Sequence, residues 1–145
     1  VTDHANLRTG YLVKRVELLV RTRLDTALGD LGLTTGQYAA LSLLASMPNA
    51  SSAQLARAIG VTPQTMAETI LAFERDDLIR RTPSSEHKRV LEITLTAKGT
   101  ALQKKCEKRV SQVEGELFAA LSTDEVGQFR SHLLAILHIG DGERL

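Results

Sequence analysis

The strongest constraint on this chain lies between Leu55 and Leu95, where two short helical patterns meet at a glycine and run straight into an alternating pattern. Leu55, Ala56 and Ile59 give the first helix one apolar face, and Gly60 has the backbone freedom that a sharp turn requires. Val61 fills the angle between the helices, and Ala56 is small enough to let them cross closely. Thr62 then supplies an N-cap oxygen, and Pro63 takes the first helical position, where a missing N–H costs nothing. This is the pattern of a helix-turn-helix, with a second helix predicted to run to about Asp77.

Beyond Asp77 the periodicity changes. Leu78-Ile79-Arg80-Arg81 reads as a strand and the polar run from Pro83 to Lys88 as a turn. Arg89 to Leu95 reads as a second strand, with Leu91, Ile93 and Leu95 on one face and Glu92 and Thr94 on the other. A helix-turn-helix followed directly by a hairpin with a basic tip is a winged helix. Its second helix fits a DNA major groove, and its wing reaches the neighbouring backbone or minor groove.

Long helices flank this unit. Thr34 with Gln37, Ser51 with Gln54 and Ser122 with Glu125 have capping-box spacing, so each pair marks a helix start. A first helix is predicted from about Asp3 to Leu28, carrying Leu7, Tyr11, Val16, Leu19, Val20 and Leu24, and a second over Thr35 to Ser46. After the wing, Thr96 caps a long helix with Leu102, Cys106, Val110, Val113, Leu117 and Leu121 on one stripe. A last helix is expected from Thr123 to Ile139, with Gly140 as its C-cap. The fold class is therefore mainly α with a small β-wing: a winged helix-turn-helix over 34–95, flanked by helical regions at 1–33 and 96–145 within a single domain. A winged helix needs only about half this length, so the outer apolar stripes need another partner. The simplest is a second copy of the chain.

This arrangement resembles the MarR family of bacterial transcriptional regulators over essentially the whole chain. The residues that carry the likeness are the unit from Leu55 to Ile70, Phe73-Glu74 with Leu78-Ile79-Arg80-Arg81, and Leu95-Thr96-Ala97-Lys98-Gly99 at the end of the wing. The resemblance implies a homodimer joined by its terminal helices, a pseudo-palindromic operator and release by a small-molecule effector, with repression as the expected outcome. Three positions depart from the family pattern. His87 stands two residues before Arg89, where an aspartate is usual; Asp77 stands where a glycine commonly precedes the apolar pair; and Glu68 replaces a basic or small polar residue.

The net charge of +1 does not by itself indicate a polyanionic partner, but from Arg75 to Arg109 ten basic residues face five acidic ones. Within that asymmetry Lys104, Lys105 and Lys108 read as the solvated face of a helix. Gln64, Thr65 and Thr69 are the candidates for reading bases, since glutamine pairs bidentately with adenine and threonine offers a methyl to thymine. Helix capping competes for Thr65 and simple exposure for Thr69. Thr62 can cap its own helix and leave neighbouring N–H groups to a phosphate. Arg57, Arg81, Lys88 and Arg89 are candidates for phosphate or minor-groove contact, with an internal ion pair the competing role for Arg57. Tyr11, Tyr38 and Phe118 are candidates for lining an effector pocket, with core packing as the alternative.

Other chemistries find no support in the pattern. His4, His87, His132 and His138 never fall at a spacing that puts two ligands on one helix face, so no metal is expected. The single Cys106 excludes an internal disulfide and reads as a core residue. No phosphate loop, nucleophile elbow or metalloprotease motif occurs, so neither enzyme activity nor a cofactor is expected. With no signal-like or membrane-length apolar run, a cytoplasmic location is expected. The expected partners are double-stranded DNA, a second copy and a small effector. The rival reading is a winged helix serving as a protein-interaction module, and a steep salt dependence of binding separates the two.

Overall fold

The structure, a computed structural model, describes residues 6–142, with side chains through His138. Its elements are α1 (Thr9–Gly29), α2 (Thr35–Ser46), α3 (Ser52–Ile59), α4 (Pro63–Arg75), β1 (Ile79–Pro83), β2 (Leu91–Leu95), α5 (Ala97–Leu117) and α6 (Thr123–Gly142). The chain groups into two compact units, 1–111 and 112–145, with the boundary inside α5. No described helix is long and apolar enough to cross a membrane.

Every element of the first unit contributes to one core. Leu28 comes from α1, Leu41 from α2, Leu55 from α3, Met66 and Phe73 from α4, Ile79 from β1, Ile93 from β2 and Cys106 from α5, and all are fully buried. Burial raises the Cys106 thiol above its ordinary pKa, consistent with an inert packing residue. All three predicted capping boxes form: Thr34, Ser51 and Ser122 each accept from the N–H three residues on and receive the glutamine or glutamate in return. At the turn between α3 and α4, Gly60 adopts φ 79°, and its N–H and that of Val61 both close on the Ala56 carbonyl.

The wing is an antiparallel pair in which Ile79 faces Leu95, Arg81 faces Ile93 and Pro83 faces Leu91. Ile93 also donates its N–H to the Ala50 carbonyl at 2.9 Å, which fastens the hairpin to the segment between α2 and α3. Leu91 was expected to share the buried face of β2, yet it is exposed. It lies opposite Pro83 at the outer end of the ladder, beyond the point that Ala50 covers.

The root of the wing is tightly built. Asp77 leaves α4 in the left-handed region at φ 58°, where glycine is favoured. Thr96 donates its N–H to the Leu78 carbonyl at 3.0 Å and its hydroxyl to the Asp77 carbonyl at 2.6 Å, while the same hydroxyl accepts from Gly99 N–H at 3.0 Å. A side chain on Gly99 has no room, because its Cβ would stand 2.0 Å from the Leu78 carbonyl oxygen.

Several predicted boundaries move. The start of α1 near Asp3 lies outside the described residues; among those described, Asn6 to Arg8 are not helical and α1 begins at Thr9. Helix α4 stops at Arg75 rather than Asp77, because Asp77 turns left-handed. Strand β1 extends to Pro83, which the sequence placed in the turn. Helix α5 ends at Leu117, ahead of Leu121, and α6 passes through Gly140 to Gly142, so Gly140 is not its cap. A glycine ends a helix only where the backbone turns left-handed; inside a helix it is merely a weak former.

Three predictions concern this frame. Gly99→Ala destabilises the protein by about 2–4 kcal/mol in urea titration, because either Leu78 or α5 must move. Asp77→Gly, freed of left-handed strain, raises stability by about 0.5–1 kcal/mol.

The third concerns the start of α2, where Asp25 of α1 accepts from both the N–H and the hydroxyl of Thr35, each at 2.7 Å. The Thr35 hydroxyl first and its N–H second hold the Asp25 carboxyl below its ordinary pKa. The linked stability is therefore present above the unfolded-state value near 3.8 and is lost as pH falls through the lowered one. Asp25→Asn accordingly melts at a lower temperature than the parent near neutrality, and the two curves converge in acid.

Candidate nucleic-acid interface

Helix α4 presents its N-terminal half to solvent because Met66, Ile70 and Phe73 enter the core on the other side, and its one exposed large apolar residue, Leu71, lies in the C-terminal half. Thr62 caps it, accepting from Thr65 N–H at 3.1 Å, and the two threonine hydroxyls lie 2.9 Å apart. Both hydroxyls are thus engaged at the helix start. Thr69 is half-buried and donates its hydroxyl to the Thr65 carbonyl at 3.0 Å, so it is turned toward its own helix. Gln64 is exposed, and its amide nitrogen lies 3.4 Å from a Glu68 carboxylate oxygen. Of the three residues expected to read bases, Gln64 has the most freely presented functional group.

The wing tip is organised by Ser84. This buried serine accepts from the N–H groups of Glu86 and His87 at 3.3 and 3.4 Å, and its own N–H meets the Val90 carbonyl at 2.8 Å. A second turn closes from Val90 N–H to the His87 carbonyl at 2.8 Å, placing Lys88 and Arg89 at its two central positions, both exposed. Where the family pattern has an aspartate two residues before the arginine, this chain ties its tip through a serine hydroxyl and the backbone. Sequence reasoning passed over Ser84 because serine is common in turns.

The remaining cations divide into two kinds. Arg81 is half-buried and pairs with Glu74 at 2.5 Å, and its Nε is buried without a partner, so it ties the wing to α4. Arg57 sits exposed in the last turn of α3, with no ion pair among the described residues. Arg57, Lys88 and Arg89 are therefore the predicted cations that remain open to a polyanion.

The effector candidates separate as well. Tyr38 donates its hydroxyl to Glu107 of α5 at 2.6 Å, and Ser42 and Gln103 reach the same carboxylate oxygen at 3.0 and 3.1 Å. Tyr11 is exposed on α1, and Phe118 packs against Phe129 in the second unit with ring centroids 6.2 Å apart. The sequence did not indicate a cleft of about 410 Å³ within the first unit. Leu33, Leu78 and Leu102 line it together with Lys98 and Lys105, and Lys98 donates to the Asp76 carbonyl at 2.8 Å. Only tertiary folding brings these three segments together. Among the described residues no cluster of histidine, cysteine or acidic side chains could hold a metal ion.

A capped helix with its polar face open, beside a hairpin whose tip offers two cations, defines a winged helix-turn-helix of the DNA-binding class. Comparisons with known proteins agree. The MarR family model matches residues 33–91. The HTH-type transcriptional repressor Rv2887 of Mycobacterium tuberculosis (strain ATCC 25618 / H37Rv) is 36% identical over 124 residues, which cover 86% of this chain and 89% of that protein. A crystal structure of Rv2887 in complex with DNA has a TM-score of 0.77 at 34% identity, covering 90% of this chain and 98% of that one. Its complex with p-aminosalicylic acid has a TM-score of 0.74 at 34% identity, covering 89% and 98%. The chain belongs to the MarR family of DNA-binding transcriptional regulators, which are not enzymes.

Side-chain placement separates the roles. Arg81→Ala lowers the melting temperature slightly, the pair with Glu74 being worth about 0–1 kcal/mol. Arg89→Ala weakens binding to all DNA sequences alike and reduces the salt dependence of affinity, whereas Gln64→Ala relaxes base preference at a cost of about 1–3 kcal/mol. Binding titrations on matched and mismatched duplexes distinguish these outcomes.

Proposed function

We propose that the chain is a repressor that binds a pseudo-palindromic operator as a homodimer and is released by a small aromatic carboxylate. The observation that carries this reading is the open reading surface, Gln64 on α4 with Lys88 and Arg89 at the wing tip, in a chain similar over nine-tenths of its length to a repressor solved with DNA. Arg57 and the N–H groups of the α4 N-terminus supply further phosphate contacts, while Thr62, Thr65 and Thr69 act mainly through methyl and backbone groups.

Dimerisation is supported by apolar faces that each unit leaves uncovered. On α1, Tyr11, Val13, Leu18 and Leu19 are about half-exposed, and on α6 Ile136 and Leu137 are 62% and 61% exposed. A second copy is the simplest cover, and two-fold symmetry then sets two reading helices about one DNA turn apart, roughly 34–36 Å. The effector class is supported by the relative's complex with p-aminosalicylic acid. The cleft lined by Lys98 and Lys105 offers cations for a carboxylate and leucines for a ring, and the Asp76 carboxylate that also lines it is paired with Arg75. Such a regulator works where the DNA is, in the cytoplasm.

Three measurements test the reading. Affinity for a selected operator falls steeply and log-linearly with salt, whereas a salt-independent contact would indicate a protein-interaction module instead. Leu137→Glu converts a dimer to a folded monomer in sedimentation and weakens operator binding. Adding p-aminosalicylate lowers operator affinity in the parent, and Lys105→Ala blunts that response. A monomeric parent or an indifferent operator complex overturns the corresponding part.

A further inference from the structure

Directly opposite the buried face of α4, the residues fall in one stripe: Gln64, Glu68, Leu71 and Arg75, all exposed. Glu68 is the exception in chemistry. It places a carboxylate in the middle of the surface that the proposed function sets against a polyanion, and every nearby phosphate repels it. Only a hydrogen-bond donor on a base edge can compensate. In the major groove guanine and thymine present acceptors, and the donors are the amino groups of cytosine and adenine. The adenine amino group adjoins N7, an acceptor that repels a carboxylate, whereas the cytosine amino group has no acceptor beside it on its own base.

The orientation of the side chain fits that role. Only the amide nitrogen of Gln64 can donate to a carboxylate, and it does so toward Glu68 Oε1 at 3.4 Å. This contact holds the carboxylate on the outer stripe and leaves its second oxygen open. It also leaves Gln64 one N–H and its carbonyl, the two groups that a bidentate contact to adenine uses. One helical turn advances about 5.4 Å, and base pairs stack about 3.4 Å apart. The two side chains therefore address positions within two base pairs of each other.

We infer that Glu68 is a specificity-determining residue that accepts from the amino group of a cytosine in each half-site, within two base pairs of the position read by Gln64. The inference rests on the proposed DNA-reading function and deepens it. It also gives the carboxylate a second effect: repulsion from phosphates lowers affinity for DNA that lacks the cytosine, so Glu68 sharpens discrimination from both sides.

The test is selection from a randomised duplex library by the full-length parent, Glu68→Ala, Glu68→Gln and Gln64→Ala, followed by titration of matched duplexes. The parent is expected to fix a C·G pair in each half-site close to the position that Gln64→Ala relaxes. Glu68→Ala loses the preference at that pair alone, so discrimination against T·A there falls by about 5- to 150-fold, and its binding to non-cognate DNA tightens. Glu68→Gln, which keeps an acceptor for Gln64 without the charge, admits adenine at the same pair. A parental consensus returned unchanged by Glu68→Ala or by Glu68→Gln overturns the inference while leaving the DNA-reading function intact. A parent that selects no sequence overturns that function and the inference with it.

Discussion

The contact on which the rest of the first unit depends is the one between Gly99 and the Leu78 carbonyl. A hairpin must begin and end in the same place, and here both ends are fixed to one backbone group: the Leu78 carbonyl accepts from Thr96 N–H while Gly99 lies against it without a side chain. Asp77 turns the chain out of α4 just before this point, and the Thr96 hydroxyl bridges the Asp77 carbonyl and the Gly99 N–H. Helix α4, the wing and the start of α5 thus share one origin. Their relative placement is fixed by short hydrogen bonds and by the absence of a methyl group, so α4 and the wing cannot drift independently.

That arrangement was partly legible in advance. Capping boxes, the Gly60 turn and the apolar faces of α3 and α4 are local patterns, and local patterns were recovered almost to the residue. Asp77 was visible as a departure from a common glycine, and its positive φ is the reason a glycine suits that place. What stayed hidden depends on pairing across distance. Glu107 gathers three donors from two helices, Arg81 turns to Glu74, and Lys98 meets the Asp76 carbonyl. Periodicity shows that such residues are polar or partly buried, and nothing in it specifies which partner folding delivers. The misplaced end at Gly140 has a different origin: the glycine was present, but the left-handed turn that makes it a cap was not.

Charge shows the same contrast between composition and placement. A chain with a net charge of +1 can still offer cations to DNA where its internal ion pairs leave them unmatched. Arg81 holds Glu74, Arg75 holds Asp76 and depresses its pKa, Arg109 holds Asp30, and hydroxyl and amide donors surround Glu107. Arg57, Lys88 and Arg89 remain exposed with no ion pair among the described residues. Surface pairs add little to stability, but they determine which cations stay available to phosphates.

On the proposed reading, this economy also explains how a small ligand can reach a helix it does not touch. Lys98 already donates to the Asp76 carbonyl, at the C-terminal end of α4. A carboxylate entering the neighbouring cleft competes for that same ammonium, so occupancy costs a contact that helps fix the end of the reading helix. A ligand shifts an equilibrium only by its differential affinity for the two states, and a tenfold loss of operator affinity needs about 1.4 kcal/mol of coupling. One charge-assisted hydrogen bond exchanged between a helix end and a ligand is of that order, about 1.5–3 kcal/mol. The coupling therefore requires no large rearrangement of the first unit: release follows if the operator complex needs the Lys98 tether in place and the free protein tolerates its loss.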